Sequence, residues 1–167
     1  RSMILIIPNT ETTIEHDDGY YDLADIVEVH FESPSSLTSI GGDAFMDCTS
    51  LQFIDLPQTV TSIEWQAFYE CTSLTAIDLP LSSTSIGRYA FHGCCSLTSI
   101  VIPPSVVSLG DGAFYECESL RSIVIPPSIT QINDDTFYGC TLLTSVTLPQ
   151  TITHIGPYAF NFCSSLI

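Results

Sequence analysis

The stretch Ser119-Leu120-Arg121-Ser122-Ile123-Val124-Ile125-Pro126-Pro127-Ser128-Ile129-Thr130-Gln131-Ile132-Asn133-Asp134-Asp135-Thr136-Phe137-Tyr138-Gly139-Cys140 is one copy of a unit that restarts at Leu143. Outward from it, Phe45, Phe68, Phe91, Phe114, Phe137 and Phe160 stand 23 residues apart, and Cys48, Cys71, Cys94, Cys117, Cys140 and Cys163 each follow three residues later. The register also holds at Leu51, Leu74, Leu97, Leu120, Leu143 and Leu166 and at Pro57, Pro80, Pro103, Pro126 and Pro149, with nothing inserted between Ile40 and Leu166. A fixed period of this length marks a solenoid, in which each copy is one coil that buries its apolar face only by stacking on its neighbours.

Within the quoted copy, alternation turns Ile123 and Ile125 inward and Ser122 and Val124 outward, which predicts a short strand paired in parallel with the same segment one coil away. Proline has no N–H to give a ladder, so the column from Pro57 to Pro149 predicts a corner at one height in every coil. A second alternating segment, as in Thr59-Val60-Thr61-Ser62-Ile63 and Thr151-Ile152-Thr153-His154-Ile155, predicts a second, shorter ladder. Gly41, Glu64, Gly87, Gly110, Asn133 and Gly156 come next; most of these types take positive φ at little cost, so a sharp turn is expected there, with the Glu64 coil turning differently. The spacing of Phe114 and Cys117 fits one helical turn facing the core. Six regular copies and a degenerate one, at about 4.8 Å per coil, predict a rod of roughly 30–35 Å.

A chain of 167 residues, 45% hydrophobic, can bury a sizeable core, here a single column and hence one domain. Residues 34–167 carry the regular repeat and residues 1–33 degenerate repeat material of the same solenoid. Ser2-Met3-Ile4-Leu5-Ile6-Ile7-Pro8 already reads like a strand of later copies, and the sequence stops at Ser165-Leu166-Ile167, where another strand is due. We therefore expect a fragment cut at both ends, each uncapped end covered by further chain or by packing against a larger assembly. Arg1, Arg88 and Arg121 are the only Lys or Arg residues against 19 acids, a net charge of −16 that repels nucleic acid and anionic membranes. No run approaches the ~18 apolar residues of a membrane-spanning helix, so no direct membrane insertion is expected of this stretch.

The pattern Leu-x-x-Ile-x-Ile-Pro-x-x-Val/Ile-x-x-Ile-Gly-x-x-Ala-Phe-x-x-Cys resembles the BspA-like (Treponema pallidum-type) leucine-rich repeat family over residues 34–167. In residues 1–33, Pro8 and Ile14 keep the Pro57-to-Ile63 spacing while Gly19-Tyr20-Tyr21-Asp22-Leu23 replaces the Ala-Phe-x-x-Cys element, which marks an irregular coil. The resemblance implies a leucine-rich-repeat solenoid built of parallel β-ladders and short turns or single helical turns. It also implies repeats that are not catalytic, in proteins commonly found on or outside bacterial, protist and some algal cells, where they serve adhesion and protein binding. An odd cysteine count and the lack of an Asn-x-Ser/Thr acceptor point instead to an intracellular or organellar assembly, and that alternative location stays open.

No constellation for catalysis, cofactor or metal is legible. The cysteine column lacks the Cys-x-x-Cys pairs that organise zinc, and is read as free thiols serving as small buried hydrophobes. Cys95, beside Cys94 and three residues after His92, is the thiol expected to reach solvent. His16, Asp17, Asp18 and Asp22 around Gly19 could offer oxygen ligands to calcium but miss the spacing of a calcium loop. Asp134-Asp135 is read as a solvated acidic pair that implies no pocket. The serine and threonine columns superficially resemble ice-binding arrays but are interrupted, as at Val107.

This leaves binding. The outward side chains of the main sheet are Phe53 and Asp55, Ala76 and Asp78, Ser99 and Val101, Ser122 and Val124, Ser145 and Thr147. A flat face of small side chains costs little entropy to dock against, so Phe53, Asp55, Asp78, Val101, Val124 and Thr147 are the expected contact residues for a protein partner. The expected role is a non-enzymatic protein-binding or adhesion module; the alternative is a scaffold subunit docking through the sheet face or the solenoid ends.

Overall fold

The computed structural model describes residues 3–15 and 23–167, and the coils stack as a parallel β-solenoid. One face carries β1 (Met3–Ile7), β3 (Ile26–Phe31), β5 (Phe53–Ile54), β7 (Ala76–Ile77), β9 (Ser99–Ile100), β11 (Ser122–Val124) and β13 (Ser145–Thr147). A second carries β2 (Thr13–Ile14), β4 (Ser39–Ile40), β6 (Ser62–Ile63), β8 (Ser85–Ile86), β10 (Ser108–Leu109), β12 (Gln131–Ile132) and β14 (His154–Ile155). Register follows the repeat: Ser122 pairs with Ser145 and Val124 with Thr147 on the first face, Ser62 with Ser85 and Ile63 with Ile86 on the second. The N-terminal stretch joins the same stack, β1 on β3 and β2 on β4, with one register shift between Met3 and Ile4.

Each proline column makes its corner as a turn. The carbonyls of Pro57, Pro80, Pro103, Pro126 and Pro149 accept the N–H three residues on, at 2.9–3.2 Å. Inside, the phenylalanine rings lie one over the next, from Phe45 to Phe160, with centroids 5.4–5.5 Å apart and planes within 9°. Each buried Phe removes apolar surface equivalent to about 1.5–3 kcal/mol. The column thiols from Cys71 onward form no disulfide, and each donates to the carbonyl of the phenylalanine of the preceding coil, as Cys94 Sγ does to Phe68 O at 3.2 Å.

The helical turn expected around Phe114 does not form. Turns closed by three-residue bonds (Ala113 N–H to Gly110 O, Cys117 N–H to Phe114 O) alternate with bonds to the next coil (Gly112 N–H to Asp134 O, Phe114 N–H to Thr136 O, Glu116 N–H to Tyr138 O). A helix would spend those N–H groups inside its own turn; here the third side of the coil is itself a ladder. Its N–H groups point toward the following coil, whereas those of the second strand face, such as Thr61 to Thr38 O, point toward the preceding one.

The glycine column also needs correction. Gly41, Gly87, Gly110 and Gly156 do not have positive φ; the left-handed residues stand two and six positions later, at Asp43 and Asp47, Gln66 and Glu70, Tyr89 and Gly93, Gly112 and Glu116, Asp135 and Gly139, Tyr158 and Phe162. The column is glycine because coils touch there: a Cβ on Gly110 would run into the backbone of Arg88, and one on Gly87 would lie 2.5 Å from the Glu64 carbonyl carbon. Nor does the Glu64 coil turn differently, since Gln66 and Glu70 keep the φ signs of every other coil. Glu64 instead accepts a hydrogen bond from Ser39 Oγ at 2.9 Å.

Candidate binding surfaces

The expected sheet-face residues stand where alternation put them. Val101 and Val124 are 79% and 63% exposed in one column with Asp55, Asp78 and Thr147. Phe53 is exposed beside His30, its ring centroid 5.8 Å away. Between Val101, Val124 and Pro126 there is a smaller depression of about 280 Å³.

A larger groove lies on the turn side, where alternation says nothing. The residue after each core phenylalanine points outward, so Tyr69, His92, Tyr115 and Tyr138 form a surface stack with centroids 4.4, 4.7 and 4.5 Å apart and planes within 11°. Gln66, Tyr89, Asp135 and Tyr158 rise along one side of the stack and Asn161 stands at its end, lining an open groove of about 610 Å³. These wall residues occupy the first left-handed position of their coils, which aims their side chains away from the core. On the other side stand Glu70 and Glu116, their side chains lying over Gly93 and Gly139, where a Cβ would come within 2.6 and 2.9 Å of them. The 23-residue recurrence at Phe+1 was the available signal; it goes unnoticed because a half-exposed column varies more than the core.

The electrostatics of this side follow from partial burial among acids. Burial, then Asp47 and Glu116, raises the Glu70 carboxyl; burial lowers His92, with Glu116 opposing. His92 Nε2 lies 3.6 Å from Glu70 Oε1. Tyr115 is pushed up to about 12 by burial first and then by Tyr138 and Glu116, so its hydroxyl is neutral at physiological pH. Cys95 is half-buried with its Sγ 3.7 Å from Glu116 O, and burial together with Glu118, Glu70 and Glu116 raises its pKa, the opposite of what a nucleophilic thiol needs. It is not alone in reaching solvent, because Cys163 in the last coil is also partly exposed.

Asp135 corrects the reading of Asp134-Asp135 as implying no pocket, since it lines the groove. The threonine column is occupied by the fold: Thr61, Thr84 and Thr153 each donate Oγ1–H to the threonine carbonyl one coil back at 3.1 Å. Among the described residues no group of three or more His, Cys, Asp or Glu side chains could hold a metal ion, and no helix is long and apolar enough to cross a membrane. His16, Asp17, Asp18, Gly19 and Asp22 lie outside the described residues.

Comparison with known proteins agrees with this architecture. The model for the BspA type leucine rich repeat region matches residues 16–94 and 84–167, with six copies. The crystal structure of the T. pallidum leucine-rich repeat protein superposes with a TM-score of 0.92 at 32% identity, over 98% of this chain and 78% of that one. A leucine-rich repeat protein from Eubacterium ventriosum (TM-score 0.68, 20% identity, 98% of this chain and 59% of that one) shares the fold. So does the pneumococcal vaccine antigen PcpA (TM-score 0.55, 15% identity, 92% and 58%). No match is found among the curated proteins.

Proposed function

The chain belongs to the BspA-type leucine-rich repeat family, and from that premise we propose that it is a non-enzymatic recognition module that engages a protein partner through the turn-side groove. The observation that carries this is the groove itself, an open volume of about 610 Å³ floored by four stacked rings and walled by Tyr89, Asp135 and Tyr158. Tyrosine supplies large contact area with two rotatable bonds, which is why it concentrates in binding surfaces. Cys95, three residues after His92, has its pKa raised by burial, which disfavours the thiolate that a nucleophile needs. A cell-surface or extracellular position suits such a module and belongs to the same proposal; protease treatment of intact source cells would remove a protein so placed.

One observation favours the main sheet as a second surface, the exposed pair Val101 and Val124 in one outward column of that face. Scaffolding through the solenoid ends is the remaining reading. Capture from the source organism with wild type, Tyr158→Ala/Asp135→Asn and Val101→Glu/Val124→Glu separates the three. A stoichiometric partner lost only with the first variant assigns the groove, and one lost only with the second moves recognition to the sheet. A partner that survives both variants points to the ends, and the absence of any stoichiometric partner overturns the recognition reading.

A further inference from the structure

We propose that the groove takes a basic protein segment, seating an arginine or lysine side chain between the rings of Tyr89 and Tyr158 over the carboxylate of Asp135. This rests on the reading of the groove as the recognition site and names its partner by charge.

Tyr89, Gly112, Asp135 and Tyr158 are the same position in four successive coils. At ~4.8 Å per coil the two tyrosines start about 14 Å apart. Tyr89 closes part of that distance, because its ring lies over Gly112, where any Cβ would collide with it. It also stands across the ring stack, at 77° to His92 and 74° to Tyr115. Tyr158 is 66% exposed at the far side. The remaining opening has an aromatic wall at each end and Asp135 between them, a shape and chemistry that suit a cationic head: ring faces attract it and the carboxylate pairs with it.

The chain already shows what one wall attracts. Its own Arg88 places its guanidinium carbon 5.1 Å from the centroid of Tyr89. Charge complementarity gives the sign, with 19 acids against three basic residues. The four rings of the floor cover one another at 4.4–4.7 Å and offer edges, so ring faces come from the two walls alone, and the carboxylate between them favours a cation over a neutral sugar.

The test uses a short synthetic peptide of alternating arginine and glycine, the same peptide with citrulline for arginine, and cellohexaose, each titrated calorimetrically. We expect the arginine peptide to bind, to weaken about tenfold when salt rises from about 50 to about 300 mM, and to outbind the citrulline peptide by at least about tenfold. Asp135→Asn should cost about tenfold and Tyr158→Ala about two- to fivefold; thermal melts establish that both variants fold. Asp25→Asn, on the exposed N-terminal loop, should change nothing. Equal binding of the citrulline peptide, or an equal loss with Asp25→Asn, overturns the proposal by showing attraction without a seat. Binding of cellohexaose in place of the arginine peptide, or binding of neither, overturns it as well. If a natural partner is lost with the groove variant yet is not displaced by the arginine peptide, recognition through the groove stands and only the basic occupant is wrong.

Discussion

Ser83 sits where neighbouring coils carry Val60, Val106 and Ile129, and it is fully buried with its hydroxyl unpartnered. A hydroxyl without a partner in an apolar column loses its hydration and gains nothing back. Ser83→Val restores the column and should raise stability by about 1–2 kcal/mol, read as a higher urea midpoint at unchanged slope. Serines and threonines at the second ladder, such as Ser105 and Thr84, behave differently because a carbonyl one coil back is in reach, as for Ser105 Oγ to Ser83 O at 2.6 Å. The thiols divide in the same way. Cys48, Cys71, Cys94, Cys117 and Cys140 are buried, while Cys95 and Cys163 are partly open. Brief alkylation of the native protein should therefore label only Cys95 and Cys163, with all seven labelled after denaturation, as tandem mass spectrometry of chymotryptic peptides would show.

At the scale of one coil, each of the three sides is fixed by a different device: β-ladder, proline turn followed by a second ladder, and a chain of turns bonded to the next coil. The phenylalanine is common to all of them, because its ring fills the centre and lies against its own copies. Phe91→Ala leaves a cavity between Phe68 and Phe114 and should cost about 3–5 kcal/mol, which a chemical denaturation curve would measure. The glycine before the turn chain acts through contact and not through φ. Gly110→Ala should therefore destabilise although its backbone conformation suits any residue, because the added methyl meets the Arg88 backbone, which cannot move without shifting a coil. A neutral outcome for Gly110→Ala in a thermal melt would return the column to a conformational explanation.

For the whole molecule, repetition makes a local pKa shift collective. Burial raises the thiols of Cys71, Cys94, Cys117 and Cys140 well above the ordinary value near 8.5. A raised folded-state pKa gives stability that is complete below the unfolded value and is lost as pH climbs toward the folded one. Each thiol then costs about 1 kcal/mol over the first pH unit above ~8.5, and the four together about 4 kcal/mol. Urea midpoints should drop steeply between about pH 8.5 and 9.5, and Cys94→Ala should flatten that drop by about a quarter. An unchanged midpoint across that interval would mean that the column opens to solvent.

The coil and its period, the inward isoleucines, the proline corners and the sheet-face columns were legible because each is dictated by spacing along one copy: Ile123 and Ile125 must turn inward if Ser122 and Val124 turn out. Contacts between copies were not. Whether Phe114 to Cys117 coils into a helical turn or bonds to the next coil depends on where the N–H of Phe114 finds Thr136 O. Whether Gly110 is needed for its φ depends on how near Arg88 comes. The groove is of the same kind. Tyr89, Gly112, Asp135 and Tyr158 are separated by whole coils in sequence and become one wall only when the coils stack, and Tyr69, His92, Tyr115 and Tyr138 become a floor only then. Sequence by itself determined the coil, because hydrophobic periodicity acts within 23 residues; the tertiary structure alone decided the groove, because rings 23 residues apart meet through the stacking of backbones and not through any local preference.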